Sequence, residues 1–187
     1  MRRQLLPAIR IFLLMTLLTG VLYTLALTGI AQAVWGGRAD GSLVVRNGAV
    51  VGSELIGQLF TAPEYFHGRP SAVDYNSAAS GGSNLGPTNP DFLATIAERV
   101  RAYRAENGLA SDVAIPVDAL TASGSGLDPH ISVRNARLQT PRVAAARGLP
   151  LAEVLALMDQ HTTAADLGFL SDPGVNVLML NLALDAF

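Results

Sequence analysis

The sequence predicts an α+β protein: a single N-terminal transmembrane helix followed by one mixed α/β extracytoplasmic domain. Three observations predict it. No residue from Ile11 to Gly37 is charged, all fifteen acidic residues lie beyond that stretch, and the remainder alternates a hairpin signature with capped amphipathic helices. Of the 187 residues 50% are hydrophobic and only 15% charged, which excludes a disordered polyelectrolyte. The thirteen basic residues are all Arg and the net charge is -2, so there is no basic field for nucleic acid. Absence of Cys removes disulfides, thiolate metal sites and Cys nucleophiles, and absence of Lys removes the P-loop lysine and Schiff-base chemistry.

The first element is the apolar stretch. Residues 11–34 reach about 36 Å as a helix at ~1.5 Å per residue, enough to span a bilayer. A cleaved signal peptide competes with this reading, because Arg2, Arg3 and Arg10 form a basic leader and Ala31-Gln32-Ala33 resembles a cleavage site. The apolar run exceeds the ~7–15 residues of a signal core, however, and it ends at Trp35, a residue of membrane-water boundaries. The expected organisation is a cytoplasmic N-terminus over 1–10, a span over 11–35 and a periplasmic domain over 36–187, the arginine distribution setting the orientation. Thr16, Gly20, Thr24 and Thr28 recur every four residues, a stripe on which a second helix could pack closely. The competing reading is that these hydroxyls bond back to the preceding turn.

Beyond the span, ten Arg stand against fifteen acids, a mildly acidic domain. Asn47-Gly48 between Leu43-Val44-Val45-Arg46 and Ala49-Val50-Val51 predicts a hairpin. Ser53 is placed to cap a short helix over 53–60, with Leu55, Ile56 and Leu59 on one side. Asn89, Pro90 and Asp91 open the clearest helix, which continues to Asn107-Gly108. Phe92, Leu93, Ile96, Val100 and Tyr103 make its buried face; Glu98, Arg99, Arg101 and Arg104 face water. Asp128-Pro129 predicts a helix over 130–139, and Thr140-Pro141 a second one over 142–147 ended by Gly148. Residues 151–161 read as an amphipathic helix with Val154, Leu155 and Met158 inward. Residues 175–184 fit period two and period 3.6 alike, so strand and helix both stay open there. The Gly-, Ser-, Asn- and Pro-rich stretch 67–89 reads as a long functional loop.

Little in this inventory points to catalysis. The Gly-rich loop matches neither a Walker nor a dinucleotide spacing. Ser123, Ser125, Asp128 and His130 invite a hydrolase reading, but the nucleophile-elbow pattern is missing and Asp128 serves as a helix cap. His67, His130 and His161 lack metal-ligand spacing. No catalytic, cofactor-binding or metal-ligating residue is therefore assigned.

The motifs Gly57-Gln58-Leu59-Phe60, Tyr65-Phe66, Arg69-Pro70-Ser71, Tyr75-Asn76, the unbroken run Ser80-Gly81-Gly82-Ser83-Asn84-Leu85-Gly86-Pro87-Thr88-Asn89-Pro90, and residues 123–132 and 175–185 together resemble the C subunit of the Kdp potassium-transporting ATPase. The resemblance implies a non-catalytic subunit in the bacterial inner membrane. Its partners would be a channel-like potassium-translocating subunit and a P-type ATPase subunit, and the complex rather than this chain would handle ATP and potassium. It further implies a catalytic chaperone that raises ATP affinity, which for a domain outside the cytoplasm requires allostery. The expected partner-contact residues are Thr16, Gly20, Thr24 and Thr28 in the span, with Arg69, Ser80, Gly81, Gly82, Asn84 and Asn89 in the loop. A membrane-tethered serine hydrolase and a free-standing ligand-binding module are the alternatives.

Overall fold

The computed structural model describes residues 2–187, the side chains of Arg2 and Asp166 excepted. They fall into two compact units, one ending at Val51 and the other comprising Gly52–Phe187.

The first unit is dominated by one long helix. Helix α1 (Arg2–Met15) passes through a π-helical stretch (Thr16–Leu22) into α2 (Tyr23–Ala39). The run Arg3–Ala39 is long and apolar enough to cross a membrane, and none of its most apolar window is buried within the protein. Trp35, the residue at which the span is expected to end, departs from helical dihedrals (φ -136°, ψ 47°) inside α2. Within the stripe the Thr24 hydroxyl donates to the carbonyl of Gly20 at 2.7 Å and so bonds back along the helix, as Thr19, outside the stripe, does to Met15 at 2.7 Å. The π-helical stretch bears on the stripe. In an α-helix a four-residue step overshoots one turn, whereas in a wider i→i+5 turn it falls short, so drift between Thr16 and Gly20 opposes drift in the flanking α-helix. The stripe is thereby straightened. Strands β1 (Leu43–Arg46) and β2 (Ala49–Ser53) form the expected hairpin, with Asn47 and Gly48 at φ +52° and +78° as a tight turn demands.

The second unit is built on a three-stranded antiparallel sheet ordered β3-β5-β4, with β3 at His130–Ser132, β4 at Thr162–Thr163 and β5 at Gly174–Asn176. Val175 faces Ile131 on one side and Thr162 on the other. Around it lie α3 (Pro90–Asn107), α4 (Val133–Arg147), α5 (Leu151–Gln160) and α6 (Val177–Leu184). Phe66, Ile131, Ala136, Val143, Val154, Met158, Val175, Leu180 and Leu184 make the core. The tail resolves its two periodicities in turn: three residues pair as β5, then the Asn176 side chain accepts the Met179 amide at 3.2 Å and caps α6.

Several expectations are corrected. No helix forms over 53–60. Ser53 Oγ accepts the Leu55 amide at 3.1 Å and starts a turn, but the Gly57 amide leaves for Leu127 O at 2.8 Å. A Cβ on Gly57 would lie 2.6 Å from Asp128 O, so the chain is pinned against that segment instead of winding up. Nor do two helices fill 130–147. Residues 130–132 are claimed by β5; Asp128 Oδ1 accepts the His130 amide at 2.9 Å and closes a turn, and Ser132 caps a single α4 through the Asn135 amide. That helix continues through Pro141 to Gly148, because burial of Ala136, Thr140, Val143 and Ala144 on one face outweighs the lost hydrogen bond. On α3, Leu93 is 53% exposed rather than buried. Arg99 and Arg104 are half-buried rather than water-facing: Arg99 donates to Leu120 O at 2.8 Å, and Arg104 to Val113 O at 2.9 Å and to Ala110 O.

Candidate partner surface and the strap beneath it

The 62–67 segment has almost no backbone partner in any helix or strand, yet Phe66 is fully buried. Its hydrogen bonds are supplied by side chains. Asn181 Oδ1 accepts the Phe66 amide at 2.8 Å while Asn181 Nδ2 donates to Phe66 O at 2.9 Å. One residue on, Gln139 Oε1 accepts the His67 amide at 2.8 Å and Gln139 Nε2 donates to His67 O at 3.0 Å. Two buried amides from α6 and α4 thus read consecutive peptide units as a neighbouring strand would. Arg142 donates to Pro63 O at 2.6 Å and Tyr65 O at 3.0 Å, and Arg147 to Glu64 O at 2.7 Å. The Arg147 guanidinium also stacks over the Tyr65 ring, 4.9 Å from its centroid, and pairs with Asp185 at 2.8 Å.

From this strap the polar loop departs over α3. At its first residue His67 Nδ1 meets Glu106 Oε1 at 2.6 Å, and Arg142 Nε lies 3.7 Å from the same oxygen. The hydrogen bond from His67 is the main reason the Glu106 carboxyl sits below its ordinary value, against an opposing effect of burial. Burial pulls the Arg142 guanidinium down, with Glu106 and Tyr103 opposing. Tyr103 donates to Asn135 Oδ1 at 2.7 Å, and Asn135 Nδ2 donates to Asp118 at 2.9 Å. Burial, with Asp118 second, raises the Tyr103 phenol far above its usual range. Of these groups His67, Tyr103 and Glu106 border a cavity of about 300 Å³ whose wall also includes Leu59, Phe60, Arg69, Tyr75 and Arg99.

Farther along, the loop is latched to the 121–128 turn. Ser71 Oγ donates to Gly126 O at 2.7 Å while accepting the amides of Val73 and Tyr75 at 3.2 and 2.9 Å. This double acceptance holds Asp74 and Tyr75 at φ +50° and +58°, a left-handed pair that non-glycine residues avoid. The Tyr75 hydroxyl donates to Arg69 O; burial raises that phenol, with the Asp128 charge adding to the effect. The Gly81 amide and the Ser80 hydroxyl both reach Ser125 O, at 2.9 and 3.1 Å. Gly126 sits at φ +68°, and a Cβ there would lie 2.7 Å from a Val73 methyl carbon and 2.8 Å from Gly81 O. Glycine is what lets the two loops close on each other.

Four of the six sequence-assigned loop residues come together in this latch. Arg69 pairs with Asp128 at 2.9 Å, Ser80 and Gly81 reach Ser125, and Gly82 abuts Gly124. Asn84 and Asn89 are not among them. Asn84 is exposed at φ +54°, and Asn89 caps α3 through the amides of Asp91 and Phe92. Thr16, Gly20, Thr24 and Thr28 belong to the other unit. Ser123 and Ser125 accept the amides of Gly126 and Leu127 at 3.0 and 3.1 Å; these are turn-forming roles. Among the described residues no group of three or more His, Asp or Glu is placed to hold a metal ion. Sequence reading missed Gln139, Asn181, Asn135 and Arg142. The one available signal was Asn181 itself, an amide set between Leu180 and Leu182 in the most apolar stretch of the domain, where a polar residue implies a specific partner.

The polar loop is thus latched to the 121–128 turn, and the strap before it is fastened to the helical core by side-chain amides. Residues 5–186 match the family described as KdpC: K+-transporting ATPase, c chain, and the chain belongs to that family. It is 58% identical over 187 residues to chains of Mycobacterium bovis (strain BCG / Pasteur 1173P2) and Mycobacterium tuberculosis (strain ATCC 25618 / H37Rv), covering 99% of both partners in each comparison. It is 54% identical over 186 residues to a chain of Cereibacter sphaeroides (strain KD131 / KCTC 12085), covering 100% of this chain and 98% of the other. All three relatives are named potassium-transporting ATPase KdpC subunit.

Proposed function

We propose that this chain is the accessory, non-catalytic subunit of an ATP-driven potassium import complex, stabilising its assembly and raising the ATP affinity of the hydrolysing subunit. The observation that carries this reading is similarity across essentially the whole chain to potassium-transporting ATPase KdpC subunits. In this reading residues 1–10 are cytoplasmic, 11–35 span the bacterial inner membrane and 36–187 are periplasmic, as three arginines before the apolar run favour. The domain then lies across the membrane from cytoplasmic ATP, so its influence on nucleotide affinity is a coupling free energy passed through the partner subunits. The loop around Arg69 and Ser80–Asn89 contacts the potassium-translocating subunit, and the Thr16/Gly20/Thr24/Thr28 stripe packs on a neighbouring span.

Protease protection on inner-membrane vesicles of known orientation tests the topology: the domain should be digested only when the periplasmic face is outward. Gly20→Leu tests the stripe. The bulky side chain should lower recovery of partner subunits on co-purification, and undiminished recovery would count against helix packing there.

A further inference from the structure

Strands β1 and β2 carry Leu43, Val45 and Val50, which are 54%, 60% and 60% exposed. Strand alternation puts Leu43 and Val45 on one face, and the two-residue turn at 47–48 sets Val50 opposite Val45 on that face, while half-buried Val44 and Val51 point the other way. A two-stranded hairpin is marginal in water by itself, so an uncovered aliphatic face on one calls for a covering surface. The join to the span indicates which surface that is. The Gly41 amide donates to Arg38 O at 3.0 Å and the Ser42 amide to Gly37 O at 2.8 Å, with Gly41 at φ +89°. This paired closure stops α2 and ties the start of β1 to a residue two positions past Trp35, where the apolar run is expected to end. The span and most of the hairpin accordingly fall in one compact unit. Residues 35–53 carry Arg38 and Arg46 against a single carboxylate, Asp40, whose Oδ1 accepts Gln32 Nε2 at 2.9 Å.

We propose that the Leu43/Val45/Val50 face lies on the bilayer beside the emerging helix, buried in the boundary between headgroups and acyl chains. The inference rests on the membrane-anchored reading and holds on whichever side of the membrane the domain lies. Continuity with the span selects lipid as the occupant, because a face tied to the end of a membrane helix meets the lipid interface before any other surface. Composition agrees. The face is wholly aliphatic, and Leu and Val are under-represented among the residues that anchor protein interfaces. An aliphatic face with arginines beside it is instead the pattern of a segment lying in a membrane interface.

The chain has no Cys, so one introduced cysteine gives one nitroxide label. Val45→Cys, Val50→Cys and, on the opposite face, Ala49→Cys are labelled in the full chain, held at one copy per nanodisc of phosphatidylcholine and phosphatidylglycerol. Collisions are measured with oxygen, which concentrates in lipid, and with a water-soluble nickel chelate. The oxygen-to-nickel ratio at 45 and 50 should exceed that at 49 by at least about threefold, and the excess should persist when the chain is assembled with the co-expressed subunits. Equal ratios at all three positions overturn the proposal. Labels at 45 and 50 shielded from both reagents in the chain alone overturn it in favour of packing within the chain, and shielding that appears only in the complex overturns it in favour of a protein socket. Leu18→Cys, in the middle of the apolar run, separates this failure from failure of the anchored reading. A nickel-accessible label at 18 removes the span and the hairpin inference with it, whereas a lipid-buried label at 18 beside nickel-exposed labels at 45 and 50 defeats the hairpin inference alone.

Discussion

Asn181 is the most informative single position to perturb, because its amide completes two backbone hydrogen bonds of a residue that water cannot reach. Phe66 is 0% and Asn181 1% exposed, and the paired contacts measure 2.8 and 2.9 Å. Asn181→Ala leaves the Phe66 N–H and C=O buried without partners. A buried unsatisfied group costs about 1–3 kcal/mol, so the pair sums to roughly 2–6 kcal/mol, with a small void added. We expect about 3–4 kcal/mol. At about 2–4 °C per kcal/mol for a domain of this size, the melting temperature falls by roughly 10 °C. Thermal unfolding of the full chain in detergent, followed by far-UV circular dichroism, provides the assay. Arg137→Ala serves as the reference, because the Arg137–Asp159 pair is 3.7 Å apart with both side chains about 60% exposed and contributes no more than about 1 kcal/mol. An Asn181→Ala loss no larger than that of Arg137→Ala would refute the claim that side-chain amides hold the strap.

Three further outcomes follow from the same geometry. Because the Glu106 carboxyl is lowered, chiefly by the His67 hydrogen bond, the unfolded chain binds its proton more readily than the folded one; stability therefore rises with pH through the window below the ordinary value of 4.5 and is lost as pH falls through the folded value. Urea unfolding at a series of acidic pH values should show that slope, and Glu106→Gln should reduce it. Gly126→Ala should destabilise the latch by about 1–3 kcal/mol, since a left-handed residue gains a Cβ 2.8 Å from Gly81 O; proteolysis of the 67–89 loop should quicken, and an unchanged rate would count against the latch. Ser123→Ala and Ser125→Ala should each cost no more than about 1 kcal/mol of stability, while potassium-stimulated ATP hydrolysis by the complex stays within about twofold of the parent; an isolated chain with serine-dependent turnover would revive the hydrolase alternative.

Local chemistry alone determined a good deal. The uncharged stretch from Ile11 to Gly37, the Asn47-Gly48 turn, the Asn89-Pro90-Asp91 start of α3 and the Gly148 end of α4 are short-range signals, and each lies where its residues dictate. Family membership was legible too, through motifs distributed along the chain. Tertiary structure decided the rest, for an identifiable reason. Ser53 and Asp128-Pro129 are good helix starts by themselves, but Gly57 is drawn to Leu127 and His130 to Asn176, so long-range pairing overrode local preference. Pro141 reads as a boundary until its neighbours are buried on one face. Asn181 among leucines signals a buried partner but not which one, and the strap at 62–67 could not be read from its own residues, because its partners Gln139, Arg142, Arg147 and Asn181 stand more than seventy residues away. Which acceptor a buried amide satisfies depends on where the whole chain has brought it, and no window of neighbouring residues contains that information.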